Sequence, residues 1–388
     1  MSDLRRLEKL ARAVERGRLT RRDFLREATA LGIGLSAAAQ FLAACAKGEP
    51  GEKQASGGEG AAASAELEKE LNVYNWSDYI AKETIPNFEK EFGVKVIYDV
   101  YENNEEMLAK IQAGATGYDI VVPTDYMVTI MQAQGMLAEL DHAAIPNLKN
   151  LDPLFVSPPY DPGNKHSVAY QWGTTGYAYR GDKITGGTDS WALLFTDAKL
   201  KGQITMLDDS REAINAALKF QGHSLNTTDE AALQDAKKIL IDQKKLLKAY
   251  ISAPVKASLI SGDVWAAQLW SGDTFQAQAE NDQIQYTIPK EGCTLWTDNL
   301  CVLSTAPHKR AAMAFMDYVL RPDVGAAISN FVAYGTPNAA AMPLIDEEAR
   351  TNPAVYPPTE VLSRLEFNKD LGEATRVWDQ IWTEIKAA

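Results

Sequence analysis

The chain has 388 residues, 46% of them hydrophobic and 23% charged, and a formal net charge of -13. That length and apolar content suffice for two ordinary domains with filled cores, which excludes a disordered or fibrous protein. The first 44 residues hold nine Arg and Lys against five Asp and Glu, so the remainder carries about -17; without a basic footprint, nucleic acid and anionic membrane surfaces make poor partners, and a cation is favoured.

Residues 1–44 read as an export address. Thr20-Arg21-Arg22-Asp23-Phe24-Leu25-Arg26 precedes an uncharged run from Ala28 to Ala44 rich in Ala, Leu and Gly. Basic, then apolar, then small is the order of a secretory signal. The paired arginines before Phe-Leu resemble the twin-arginine type, with general export the other route. A short membrane span or buried helix is the competing reading, at the bottom of the spanning range. Leu42-Ala43-Ala44-Cys45 resembles the lipobox of bacterial lipoproteins, which implies cleavage there and lipidation of Cys45. Residues 45–66 are rich in Gly, Ser, Ala, Lys and Glu, too polar to order themselves, and read as a flexible tether. The expected product is a soluble body lipid-anchored in the periplasm or at the outer face of the cytoplasmic membrane.

From there, period-2 and period-3.6 patterns alternate. Leu71 to Trp76 predicts a strand and Lys82 to Phe92 a helix stopped at Gly93, a natural position for a left-handed cap. Val94 to Tyr101 predicts a strand, Asn103 to Ala113 a helix, Tyr118 to Pro123 a strand, and Tyr126 to Gln134 a helix. Strands and helices in alternation with short loops imply a largely parallel sheet covered on both faces. A second set follows: strand Gly202 to Leu207, helix Ser210 to Phe220, and a long helix Thr228 to Leu247 opened by the capping box Thr227-Thr228-Asp229-Glu230. Val264 to Trp270, Ile284 to Ile288 and Leu295 to Leu303 predict further strands, with helices at Lys309 to Leu320 and Ala374 to Ile385. Cys293 and Cys301 are eight residues apart in an extended segment, a separation of roughly 26 Å that a disulfide does not span, so both are expected as buried free thiols.

In open α/β sheets ligands gather at the carboxyl ends of strands. Trp76, Asp78 and Tyr79 follow the first strand, and Thr124, Asp125 and Tyr126 the third. Asp208, Asp209 and Glu212 lie where a strand enters a helix, Trp270 and Asp273 end another strand, and Trp296 and Asp298 fall in yet another. Acids interleaved with indole and phenol rings suit an organic cation: carboxylates take its N–H donors in charge-assisted bonds, and the rings take its charge and methylenes. Acids at several strand ends suit more than one positive charge. Taken singly, each residue has a plainer reading. Asp208, Asp209 or Ser210 could cap a helix, Arg211 could neutralise an acid, and Asp273 could be a turn residue.

Asn75-Trp76-Ser77-Asp78-Tyr79, Val121-Val122-Pro123-Thr124-Asp125-Tyr126, Asn150-Leu151-Asp152-Pro153, Thr205-Met206-Leu207-Asp208-Asp209-Ser210-Arg211-Glu212, Arg321-Pro322-Asp323-Val324 and Tyr334-Gly335-Thr336-Pro337-Asn338 together resemble the spermidine/putrescine-binding proteins of bacterial ABC transporters, from about Leu71 almost to the C-terminus. The resemblance implies an α/β, two-lobed periplasmic-binding-protein fold of type II, each lobe a mixed, mainly parallel sheet flanked by helices. It divides the chain into residues 67–174 with 297–342 and residues 175–296 with 343–388, hinged near Gly173 to Gly176, Leu295 and Pro343. Trp76, Tyr79, Tyr126, Trp270, Trp296 and Tyr334 would box the polyamine chain, with Ser77 and Thr124 beside them. Asp209, Glu212 and Asp298 match carboxylates of spermidine binders, and Ser252 a weaker polar contact. Asp78 and Asp273 match acids of the putrescine branch, so both sets are present and the preferred polyamine stays open. Asn368 is the nearest counterpart of a Gln found in spermidine binders.

The expected partners are a polyamine and a membrane permease, with no cofactor, no metal and a monomeric state. His142, His166, His223 and His308 lack metal-ligand spacing, and neither a phosphate loop nor a Gly-x-Ser-x-Gly elbow is present. Paired carboxylates could support glycoside hydrolysis, but nothing separates an acid from a base among them. The alternative function is a sugar- or other cation-binding lipoprotein of an ABC importer, because stacked rings beside acids also hold sugars, and Tyr with acids holds ferric ion.

Overall fold

The computed structural model describes residues 66–114, 117–252 and 254–388. The export signal, Cys45 and all but the last residue of the tether lie outside them. β1 (Glu70–Trp76) buries Leu71, Val73, Tyr74 and Asn75, so side chains on both its faces are covered. It pairs in parallel with β2 (Lys95–Tyr101) on one side and β3 (Ile120–Val121) on the other, as strands buried on both faces of an α/β sheet do. α1 (Thr84–Phe92) and α2 (Asn104–Gln112) connect them, and α3 (Asp125–Ala133) follows β3. Gly93 ends α1 at φ 65° and returns its N–H to the Glu89 carbonyl, the left-handed cap that glycine adopts without Cβ strain. The Asn103 side chain accepts the Glu106 N–H to open α2.

β4 (Ser167–Arg180) and β9 (Thr294–Val302) are the two longest strands. β9 lies antiparallel to β3 and to the first part of β4. The remainder of β4 pairs with β7 (Ala266–Trp270) and β8 (Ile284–Thr287). β5 (Ile204–Met206) and β6 (Leu247–Tyr250) complete the order β2-β1-β3-β9-β4-β7-β5-β6 in parallel with β7. Helices α4 (Ser210–Phe220), α5 (Glu230–Gln243), α6 (Val255–Ser261), α7 (Ser271–Glu280), α8 (Lys309–Val319), α9 (Pro322–Val332) and α10 (Thr375–Ala387) cover the sheet. One buried cluster gathers Leu71 to Tyr170 with Trp296 to Tyr334 and includes Cys301. A second gathers Tyr177 to Ala266 with Cys293, Leu365 and Trp378 to Ile385. Both cysteines are buried and free, as expected.

Several elements depart from their sequence expectation. The helix expected to Leu247 stops at Gln243, and Leu247–Tyr250 becomes β6, because pairing with β5 overrides local helix preference. Asp229, not the Thr pair, caps it by accepting the Ala231 and Ala232 N–H groups. Pro322 opens α9 at its first turn instead of only ending what precedes it. Trp270-Ser271-Gly272-Asp273 ends β7 but also starts α7, so Asp273 is a helical first-turn residue, not a turn residue.

Candidate functional site

The turn after β1 places four side chains. Asp78 sits at φ 52°, a left-handed conformation Asp tolerates better than bulkier residues, and it lets the chain reverse so that Trp76 and Tyr79 face one cleft. The Trp76 indole is fixed: its Nε1 donates to the Val122 carbonyl at 2.8 Å, and Tyr101 donates its hydroxyl to the same oxygen at 2.6 Å. The two rings lie 4.7 Å apart between centroids. Tyr79 Oη donates to one oxygen of Asp298 at 2.8 Å and Thr124 Oγ1 to the other at 2.7 Å. Thr124 is itself held by Asn104 Nδ2 at 2.9 Å.

Along β9, Thr294, Trp296 and Asp298 share one face, since side chains two residues apart point the same way. Tyr334 stands edge-on to Trp296 at 5.2 Å and to Tyr79 at 5.4 Å. Two glycines make room for these rings. A Cβ on Gly272 would lie 2.6 Å from the Tyr334 ring, and one on Gly173 would lie 2.7 Å from the Trp296 ring. Glycine inside a strand or helix is here the mark of close approach by an aromatic side chain.

The opposite wall is built by the start of α4. Asp209 caps the helix by accepting the Glu212 N–H at 3.0 Å, so one of its oxygens is already engaged. Glu212 accepts from Thr294 Oγ1 at 2.8 Å. The Arg211 guanidinium lies over the Tyr126 and Trp378 rings, at 5.1 and 4.8 Å, and donates to Asn368 Oδ1 at 2.9 Å. Asn215 Nδ2 donates to that same oxygen at 2.9 Å, so Asn368 presents no free carbonyl and acts by holding Arg211. Tyr126 Oη donates to Glu105 at 3.0 Å.

Trp76, Ser77, Asp78, Tyr79, Thr124, Tyr126, Asp209, Glu212, Trp270, Asp273, Trp296, Asp298, Tyr334 and Asn368 all line this one cleft, which encloses about 910 Å³ including its open mouth. Ser252 does not line it. Its Oγ accepts the Asp208 N–H at 3.2 Å and steadies the turn between β5 and α4. The expectation for Ser252 came from the resemblance alone; here its hydroxyl serves the backbone of the turn instead. Asp208 also points away, to Lys386 at 2.6 Å. Tyr101, Glu102, Asn104 and Lys256 line the cleft without having been expected, and Arg211 does so beyond its reading as an internal neutraliser. Tyr101 and Glu102 follow directly from β2 and obey the strand-end rule already applied elsewhere. Lys256 carries no comparable signal.

The carboxylates of this cleft are poor at holding charge without a partner. Burial pushes Asp298 up to about 7, against the opposing bonds from Thr124 and Tyr79. Burial pushes Asp273 up to about 6, with Lys256 pulling it down and Asp78 pushing it further up. Glu212 is raised by burial and by Asp209, and Asp209 by burial. Each rise is the desolvation penalty of an anion in low dielectric, the penalty a bound cation offsets. Among the described residues, no His, Cys, Asp and Glu group has the arrangement of a metal site.

With this geometry in hand, the sequence matches the bacterial extracellular solute-binding protein family over residues 83–357. The chain belongs to that family. It is 35% identical over 344 residues to the putrescine-binding periplasmic protein SpuD of Pseudomonas aeruginosa, covering 84% of this chain and 94% of the relative. It is 35% identical over 332 residues to the spermidine/putrescine-binding periplasmic protein of Escherichia coli, again covering 84% and 94%. The solved structure of the spermidine/putrescine ABC transporter substrate-binding protein PotD of Streptococcus pneumoniae superimposes with a TM-score of 0.71 at 31% identity, covering 82% of this chain and 99% of that one. Family and fold agree with the two-lobed α/β architecture expected from the sequence. The solute-binding family is one of carriers and not of enzymes.

Proposed function

We propose that this solute-binding protein captures a polyamine in its interlobe cleft and delivers it to the permease of an ABC importer. The observation that carries this reading is the meeting of Asp209, Glu212, Asp273 and Asp298 with the rings of Trp76, Tyr79, Tyr126, Trp270, Trp296 and Tyr334 in one cleft. Buried carboxylates and aromatic faces are the complement of an alkyl ammonium chain. In this reading Asp298 and Glu212 take amines, Asp209 adds its free oxygen, and the rings take the methylenes. Thr124 holds Asp298 in position, while Ser77 meets Glu102 and Asn368 holds Arg211.

The relatives' names support the ligand class, and the lobes are read as residues 67–174 with 297–342 and 175–296 with 343–388. Glycines 173 and 176 lie on β4 where it passes from one lobe to the other. The export signal and lipobox of the sequence support anchoring through Cys45 in the periplasm or at the outer face of the cytoplasmic membrane, and we read the chain as a monomer. A Cys45→Ala variant should leave the membrane fraction for the soluble one. A thermal-shift screen of putrescine, spermidine, spermine, simple sugars and ferric citrate tests the ligand class. Stabilisation by amines alone is the expected result, and a response confined to sugars or ferric citrate rejects it.

A further inference from the structure

One end of the cleft already contains an ammonium group. Lys256, on α6, places Nζ 3.6 Å from Asp78 Oδ2 and 3.7 Å from Asp273 Oδ1. It also donates to Gln276 Oε1 at 2.7 Å. That amide cannot turn around freely, because Gln276 Nε2 donates to the Val332 carbonyl at 2.8 Å and so commits Oε1 to face the lysine. The Lys256 side chain keeps only 24% of its exposure, and it lines the cleft together with Glu102, whose carboxylate accepts from Ser77 Oγ at 2.7 Å. Asp78 comes from the turn after β1, whereas Lys256 and Asp273 come from α6 and α7, so the ammonium sits between opposite walls.

The other end is different. Among the described residues Asp298 is met by the Tyr79 and Thr124 hydroxyls and Glu212 by the Thr294 hydroxyl; the one cation near Glu212, Arg211, is engaged by Asn368 and by the Tyr126 and Trp378 rings. Neutral donors orient a carboxylate but leave its charge to be matched from outside. An ammonium beside it matches that charge instead, and a second cation entering there meets like-charge repulsion in a partly desolvated setting.

We propose that Lys256 is a built-in amine that fills the Asp78/Asp273 end of the cleft, so that the protein selects a ligand with two ammonium groups over one with three. This rests on the polyamine reading and names the member of the class it favours. Both sets of acids are present, but one set is answered by the chain itself. Lys256 is thereby a specificity residue: it excludes the third charge of a triamine by occupying its place.

The test is calorimetric titration of putrescine and spermidine into wild type, Lys256→Met and Lys256→Arg at one pH and ionic strength. Wild type should bind putrescine more tightly than spermidine. Lys256→Met keeps the length of the side chain but not its charge, and should shift the ratio of the two dissociation constants toward spermidine by about tenfold or more. Lys256→Arg should keep the wild-type order. Equal weakening of both ligands by Lys256→Met would show a latch between the walls and overturn the proposal, as would an unchanged ratio. If Lys256→Met does not fold, Lys256→Gln is read by the same criterion. Wild type that binds neither amine overturns the polyamine reading itself, whereas wild type that binds with a static ratio in the variants overturns only the role of Lys256.

Discussion

The two ends of the cleft meet the same problem, buried carboxylates, in opposite ways. Asp298 is surrounded by Tyr79 and Thr124 hydroxyls and by rings, and burial holds its carboxyl at about 7. Asp273 has an ammonium nearby, which pulls its carboxyl down against the burial that raises it to about 6. A count of acids therefore overstates the charge a ligand must bring. What matters is how many carboxylates the protein leaves without a cation of its own.

The sharpest way to break this comparison is Asp298→Asn. Losing a buried carboxylate that meets an amine should cost about 2–5 kcal/mol of binding, and calorimetry showing less than a fivefold loss would remove Asp298 from the amine site. Acidification is the next largest effect. Because the folded carboxyls sit near 6 and 7, amine affinity should fall as pH drops from about 8 toward 6, well above the ordinary carboxylate range. Binding near neutral pH should release protons, seen as a dependence of the calorimetric enthalpy on buffer; affinity flat down to pH 5 contradicts it. Stability of the ligand-free protein runs the other way. With folded values raised above the unfolded ones, the contribution is fully present below about pH 4 and lost as pH rises through 6 to 7.

A smaller effect tests the packing beneath the rings. Gly272→Ala puts a methyl group 2.6 Å from Tyr334, and such overpacking should cost about 1–3 kcal/mol in unfolding by denaturant, with weaker amine binding. An unchanged midpoint would mean that Tyr334 gives way freely. The smallest effect is expected at Ser252, whose Oγ serves a backbone N–H outside the cleft: Ser252→Ala should leave amine affinity unchanged within error, and a tenfold loss would return it to the site.

Much of the cleft was legible because its residues sit at strand ends, where chain order and spatial position coincide. Trp76 ends a parallel strand, and Thr124 and Asp209 come shortly after two others, so locating β1, β3 and β5 located them. The missing parts depend on contacts that local patterns do not carry. β4 reads poorly because it is buried along most of its length and contains Gly173 and Gly176, which lower strand preference and whose value lies in what packs against them. α7 and α9 begin with residues that resemble stops, Gly272 and Pro322. Lys256 reaches the cleft from α6, across residues distant in sequence, and its significance follows only from the two acids it meets.

β9 offers one more consequence. Cys293 precedes it and belongs to one buried cluster, while Cys301 lies within it and belongs to the other. Each of these clusters thus contains its own hidden sulfur, and burial raises the pKa of both thiols, which keeps them inert. Alkylation of the two under mild denaturant, resolved by peptide mass, would record which cluster loosens first and whether a captured amine delays both together, with no substitution made in the chain.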